Sequence, residues 1–84
     1  MSDPELPLTP RTKRTLLEAA RIAREWGHGY VGTEHVMLAI LADPAGIGGG
    51  AVHRVGKAEA VRAEIEQILE SDSYSGGSGT HTAG

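Results

Sequence analysis

Residues 36–41 read Val-Met-Leu-Ala-Ile-Leu, and this run constrains the chain more than any other segment. Gly32-Thr33-Glu34 stands before it and Asp43-Pro44 behind it. Thr33 is a candidate N-cap, because its hydroxyl can accept from an early backbone N–H. Glu34 then falls in the first turn, where a negative charge suits the helix dipole. Pro44 stops the helix, since a residue before proline is pushed out of the helical region. The segment therefore predicts a helix over about Glu34 to Ala42 that is apolar on nearly every side. Such a helix is a buried one. It is far shorter than the roughly 18 apolar residues that suggest a membrane span. Other segments must surround it, so it should be the centre of the core.

The flanking segments supply candidates. Thr9-Pro10 reads as a helix start, with Thr9 as cap and proline at the next position, where its missing N–H costs nothing. The first helix is predicted from about Pro10 to Trp26, with Leu16, Ala19, Ala20, Ala23 and Trp26 on one face. Arg14–Glu18 and Arg21–Glu25 are spaced to pair on the other face. Gly27 is placed to end this helix in a left-handed conformation. His28-Gly29-Tyr30-Val31-Gly32 is a loop. In residues 46–56, Ile47, Ala51, Val52 and Val55 keep helical spacing. The three consecutive glycines before Ala51 each cost about 0.8–1 kcal/mol relative to alanine inside a helix. A short, frayed third helix starting late is expected there. A fourth is predicted over about Ala58 to Glu70, with Val61, Ile65, Ile68 and Leu69 as its buried stripe. The fold class is therefore all-α with about four helices. An extended, proline-bearing arm is expected over 1–8, a folded unit over 9–70, and a flexible Gly/Ser-rich tail over 71–84.

The 84 residues allow one domain, with no cysteine and no phenylalanine, so the core must be aliphatic. No secretory leader is expected from the acidic first ten residues, and a cytoplasmic location fits the absence of cysteine. A formal charge of -3 argues against a general nucleic-acid binder, which needs a surplus of Lys and Arg. Arg11, Lys13, Arg14, Arg21 and Arg24 nevertheless crowd one segment, while Glu59, Glu64, Glu66, Glu70 and Asp72 gather later. Solvated helix faces account for that asymmetry, and an anion-binding spot near residues 9–14 is the sharper alternative.

Catalytic patterns are weak. His28 and His35 flank a loop beside Glu34, which invites a zinc hypothesis, but the i,i+4 histidine pair of zinc-protease helices is missing. Stapling the loop is the better role for these histidines. No serine has a strand–turn–helix setting. The glycines at 46–50 match neither GxGxxG nor a P-loop. Trp26 reads as a lid on the core. No metal site or cofactor is called for.

Several segments carry a family resemblance. LTPRTKRTL, WGHGYVGTEHVMLAIL, the GI…VG segment and AVRAEIEQIL resemble a single repeat of the N-terminal domain of Clp chaperones of the ClpC/ClpA type. The Gly-His-Gly-Tyr-Val-Gly-Thr-Glu-His run is the most specific part. In that family two such four-helix repeats pack about a pseudo-twofold axis. The family departs from this chain at the glycine-rich third helix and at Leu8, where it often has Phe.

The resemblance implies a non-catalytic binding module that recognises peptide, phosphoarginine or an adaptor and modulates Clp-dependent proteolysis. It implies ligand contacts at Thr9 and Glu34. Thr33, Arg11 and Lys13 stand close enough in sequence to join them. The implied partners are a Clp chaperone, an adaptor or a tagged substrate, with neither nucleic acid nor membrane. A lone repeat would leave an apolar face exposed, which predicts a homodimer. Competing readings are a protein that sequesters Clp-targeting cyclic peptides, a small helical DNA-binding regulator, and a metal-dependent hydrolase using His28, Glu34 and His35.

Overall fold

A computed structural model of the chain describes residues 5–71. Within them are four helices and no strand: α1 (Pro10–Glu25), α2 (Thr33–Leu41), α3 (Ile47–Arg54) and α4 (Ala58–Leu69). The chain from Glu5 to Thr9 has no regular structure. The flexible tail expected from Ser71 onward lies outside the described residues, save Ser71 itself.

The central position expected for the apolar run is found. α2 packs on α1, α3 and α4 alike. Its Leu38, Ala39 and Leu41 are buried, and Ala19 and Ile22 of α1 and Leu69 of α4 close the main cluster around Leu38 and Ala39. Burial of each large aliphatic side chain stabilises the fold by about 1.5–3 kcal/mol. Trp26, Val36 and Ile65 pack against the edge of this cluster, so Trp26 is the lid expected of it. Ile68 departs from its expected place in a buried stripe and is 50% exposed. Leu69, expected beside it in that stripe, is buried; one flank of α4 meets α2, and Ile68 falls outside that flank.

The helix ends follow local chemistry. Thr9 caps α1: its Oγ1 accepts from Thr12 N–H at 3.1 Å, and Pro10 follows. At the other end Gly27 has φ +76°, Gly27 N–H donates to Arg24 C=O, and His28 N–H donates to Ala23 C=O at 2.9 Å. These two bonds make a Schellman motif, which needs the left-handed residue that glycine supplies. Gly56, with φ +75°, ends α3 in the same way. On the outer face of α1, Arg21 pairs with both Glu18 and Glu25. Glu18 was expected to pair with Arg14.

Two boundaries differ from expectation. Thr33 is the first helical residue of α2, and Gly32 is its N-cap. The cap works through His35, three residues on, whose Nδ1 accepts the Gly32 N–H at 2.8 Å. A histidine thus does what Glu or Gln does in a capping box, while the Gly32 carbonyl accepts from His35 N–H and Val36 N–H.

α3 starts at Ile47, not late, and contains all three glycines. Gly49 and Gly50 are buried. A methyl group on Gly49 would press into the carbonyl oxygens of Ile40 and Asp43, and one on Gly50 would lie 2.7 Å from the Pro44 carbonyl oxygen. The backbone of α3 therefore lies directly on the end of α2. That close approach offsets the low helix propensity of glycine. His53 of α3 adds a bond from Nε2 to the Leu41 carbonyl at 2.7 Å, capping α2 from across the junction.

Neighbouring glycines should then respond with opposite signs. At Gly48 a methyl group meets only Ile40 Cγ2 at 3.6 Å, so Gly48→Ala should stabilise by about 0.5–1 kcal/mol. Gly49→Ala should destabilise by about 2 kcal/mol through overpacking. Urea denaturation of the two variants beside the parent measures both.

Candidate functional site

The first turns of α1, one flank of α2 and the start of α3 enclose a groove of about 580 Å³. Thr9, Thr12 and Thr15 form its α1 wall with Leu16. Val36 and Ile40 of α2 form the opposite wall, and Ile47 to Gly49 close one end. The hydroxyl row follows from threonines three residues apart on one helix. The apolar wall follows from residues four apart on α2.

Arg11 and Asp43 stand together at this groove, 32 residues apart in sequence, with Arg11 Nη1 2.6 Å from Asp43 Oδ2. The Arg11 guanidinium holds the Asp43 carboxyl below its usual range by hydrogen bonding, and its charge acts in the same direction. The pair ties the start of α1 to the turn between α2 and α3. It is exposed, so solvent screens it and other ions can compete for either partner.

Of the five residues expected at a ligand site, the groove gathers two, Thr9 and Arg11. Lys13 is exposed on α1 and does not line the groove. Thr33 is exposed at the start of α2. Glu34 is half-buried, and its carboxylate curls over the Cα of Gly32 at the positive end of α2. Val36, one half-turn further, is the first residue of α2 to reach the groove wall. Asp43, Thr12, Thr15, Ile40 and Ile47 were not singled out from sequence. The Thr9-Thr12-Thr15 spacing was a signal for part of that set. Asp43 had looked like nothing more than a helix stop.

A second polar centre lies at the other end of the α1–α2 connection. His35 has no exposed surface. Its Nδ1 takes the Gly32 N–H, and its Nε2 lies 2.8 Å from His28 Nδ1. His28 stacks on Tyr30 with ring centroids 5.4 Å apart and on Trp26 at 6.4 Å. Tyr30 meets His35 edge-on at 5.6 Å. Burial pushes the His35 imidazole below its ordinary value; Glu34 opposes that and His28 adds to it. The histidines thus staple the loop, as the sequence suggested. No buried side-chain polar atom among the described residues lacks a partner. No described helix is long and apolar enough to cross a membrane.

Comparison with known proteins agrees with the four-helix architecture. The model of the Clp repeat (R) N-terminal domain family matches residues 3–83. The ClpA homolog of Pyropia yezoensis, an ATP-dependent Clp protease ATP-binding subunit, is 33% identical over 79 residues, covering 93% of this chain and 10% of the relative. The chloroplastic ClpA homolog of Brassica napus is 32% identical over 83 residues, covering 92% and 10% respectively. In Guillardia theta the ClpA homolog reaches 44% identity over 43 residues, 51% of this chain and 5% of the relative. The chain thus spans about a tenth of the length of the first two relatives. No solved structure matches it.

The Arg11–Asp43 pair has a pH signature. A carboxyl whose folded-state pKa is depressed contributes stability above its unfolded value, about 3.8, and loses it as pH falls through the folded value. Arg11→Met should therefore flatten the acid-side fall in thermal midpoint below about pH 4. Melting curves of parent and variant across that range check it.

Proposed function

The chain belongs to the Clp repeat N-terminal domain family, and from that we propose that it is a non-catalytic binding module that modulates Clp-dependent proteolysis. Its ligand is a peptide, a phosphoarginine side chain or an adaptor surface. Its partner is a cytoplasmic Clp chaperone, for which it competes or to which it delivers. The observation that carries this reading is the groove beside Thr9, with apolar walls, a row of hydroxyls and a guanidinium–carboxylate pair. Apolar walls hold side chains of a bound segment, and a few polar groups orient it.

Phosphoarginine suits the charged groups in type. It carries a planar cationic fork and an anionic end. A carboxylate such as Glu34 accepts the fork through charge-assisted bonds. Arg11, released from Asp43, and the α1 and α2 starts at Thr9 and Thr33 receive the phosphoryl oxygens, with Lys13 adding positive potential. The exposure of the Arg11–Asp43 pair makes that exchange cheap.

The chain also forms a homodimer on this reading. Leu17, Ile47, Val55 and Ile68 are exposed apolar residues, Ile47 to 91%. Isologous contact through such surface screens it from water.

NMR titration with free phosphoarginine tests the ligand. Chemical-shift changes are expected at Thr9, Thr33 and Glu34, and Glu34→Ala should weaken binding about tenfold to a hundredfold. A parent spectrum unchanged at millimolar ligand overturns the phosphoarginine reading. Sedimentation velocity tests the dimer, and a strict monomer at every concentration rejects it.

A further inference from the structure

We propose that the loop from Gly27 to Gly32 and the first turn of α2 form a proton-operated latch, closed while His35 is neutral and released when it takes up a proton. The Gly32 N–H points at His35 Nδ1 from 2.8 Å, so that nitrogen must offer its lone pair and carry no hydrogen. A neutral His35 ring then keeps its proton on Nε2. That N–H faces His28 Nδ1 at 2.8 Å, which must in turn be the acceptor. The neutral His28 ring carries its own proton on Nε2. One tautomer is thus fixed at each ring, and the relay runs in one direction: Gly32 to His35 to His28.

An added proton has no compatible place. On His35 it must go to Nδ1, where it meets the Gly32 N–H, donor against donor. That event breaks the Gly32 bond of the relay. Burial also opposes charge on His35 itself. Among the described residues, the charged or titratable groups that act on His35 are Glu34 of its own helix and His28 of the loop, with the Tyr30 ring edge-on against it. Glu34 favours the protonated ring but is outweighed; α1, α3 and α4 contribute no charge to this set.

Release would act on structure at two places. Gly32 is the N-cap of α2, so the first turn loses a cap bond. Gly32 also lies directly under the Glu34 carboxylate, so its movement displaces that side chain. The stacking of His28 on Trp26 and Tyr30 remains available to a charged imidazole, so opening is confined to the hydrogen bonds. On the reading that Glu34 holds a ligand, acidification would therefore lower affinity; the latch itself stands without that reading.

The sign follows from linkage. A histidine whose folded-state pKa is lowered contributes stability that is complete above its ordinary value of 6.5 and falls away as pH drops below it. The test follows amide exchange at Gly32, corrected for intrinsic rate, together with the imidazole signals, in the full chain from about pH 8 to about pH 5. Protection at Gly32 should fall by about tenfold or more as the His35 imidazole titrates. His35→Asn offers an acceptor oxygen where Nδ1 was and does not titrate, so Gly32 should stay protected throughout. His28→Asn keeps an acceptor for His35, so the transition should persist, driven by His35 alone. Constant protection at Gly32 while the His35 imidazole titrates overturns the latch, as does an unchanged transition in His35→Asn. Should His35→Asn fail to fold, the parent and His28→Asn decide: the loss at Gly32 must track the His35 imidazole. No ligand is present in this experiment, so its failure is distinct from failure of the phosphoarginine titration.

Discussion

α2 is apolar around almost its whole circumference, and a helix of that kind must be screened from water over most of its surface; Met37 alone of its apolar run is left exposed. α1, α3 and α4 are the elements available to do it, and each packs on α2. α1 and α4 use side chains, chiefly Ala19, Ile22 and Leu69. α3 uses backbone. With Gly49 and Gly50 against the carbonyls of Ile40, Asp43 and Pro44, it comes closer than any residue with a Cβ would allow. The glycines that weaken α3 as an isolated helix are what let it sit there.

The polar groups of the fold are arranged around the ends of α2. Its N-terminus is capped by a buried histidine in place of a hydroxyl or carboxylate, and its last carbonyls receive His53 from α3. A buried imidazole is costly unless both ring nitrogens are used. His35 uses both, and the geometry leaves one protonation state that satisfies them. Structural economy at this point thus creates sensitivity to acid, in a loop next to the half-buried Glu34.

Charge is distributed more locally than the totals suggest. Arg21 is bracketed by Glu18 and Glu25, and Arg62 by Glu59 and Glu66. Those faces are solvated ion-pair surfaces. Arg11 differs, because its partner Asp43 comes from another part of the chain and the two meet at the groove. The recognition reading rests on a family membership that covers nearly the whole chain and on a groove at the start of α1.

What the residues determined alone was local. Thr9-Pro10 started α1, Gly27 ended it with positive φ, Asp43-Pro44 closed off α2, and the apolar run became the core, because capping, left-handed glycine and amphipathic spacing act over a few residues. The Gly-His-Gly-Tyr-Val-Gly-Thr-Glu-His run carried the family. The tertiary structure decided the rest. It made Gly32 and not Thr33 the cap, because His35 could fold back onto it. It kept Gly48 to Gly50 helical, because Gly49 and Gly50 lack the side chains that would bar the end of α2. It joined Arg11 to Asp43 and turned Ile68 outward. Each of these depends on which surfaces meet once helices dock, and segment propensities carry no record of that distance in the chain.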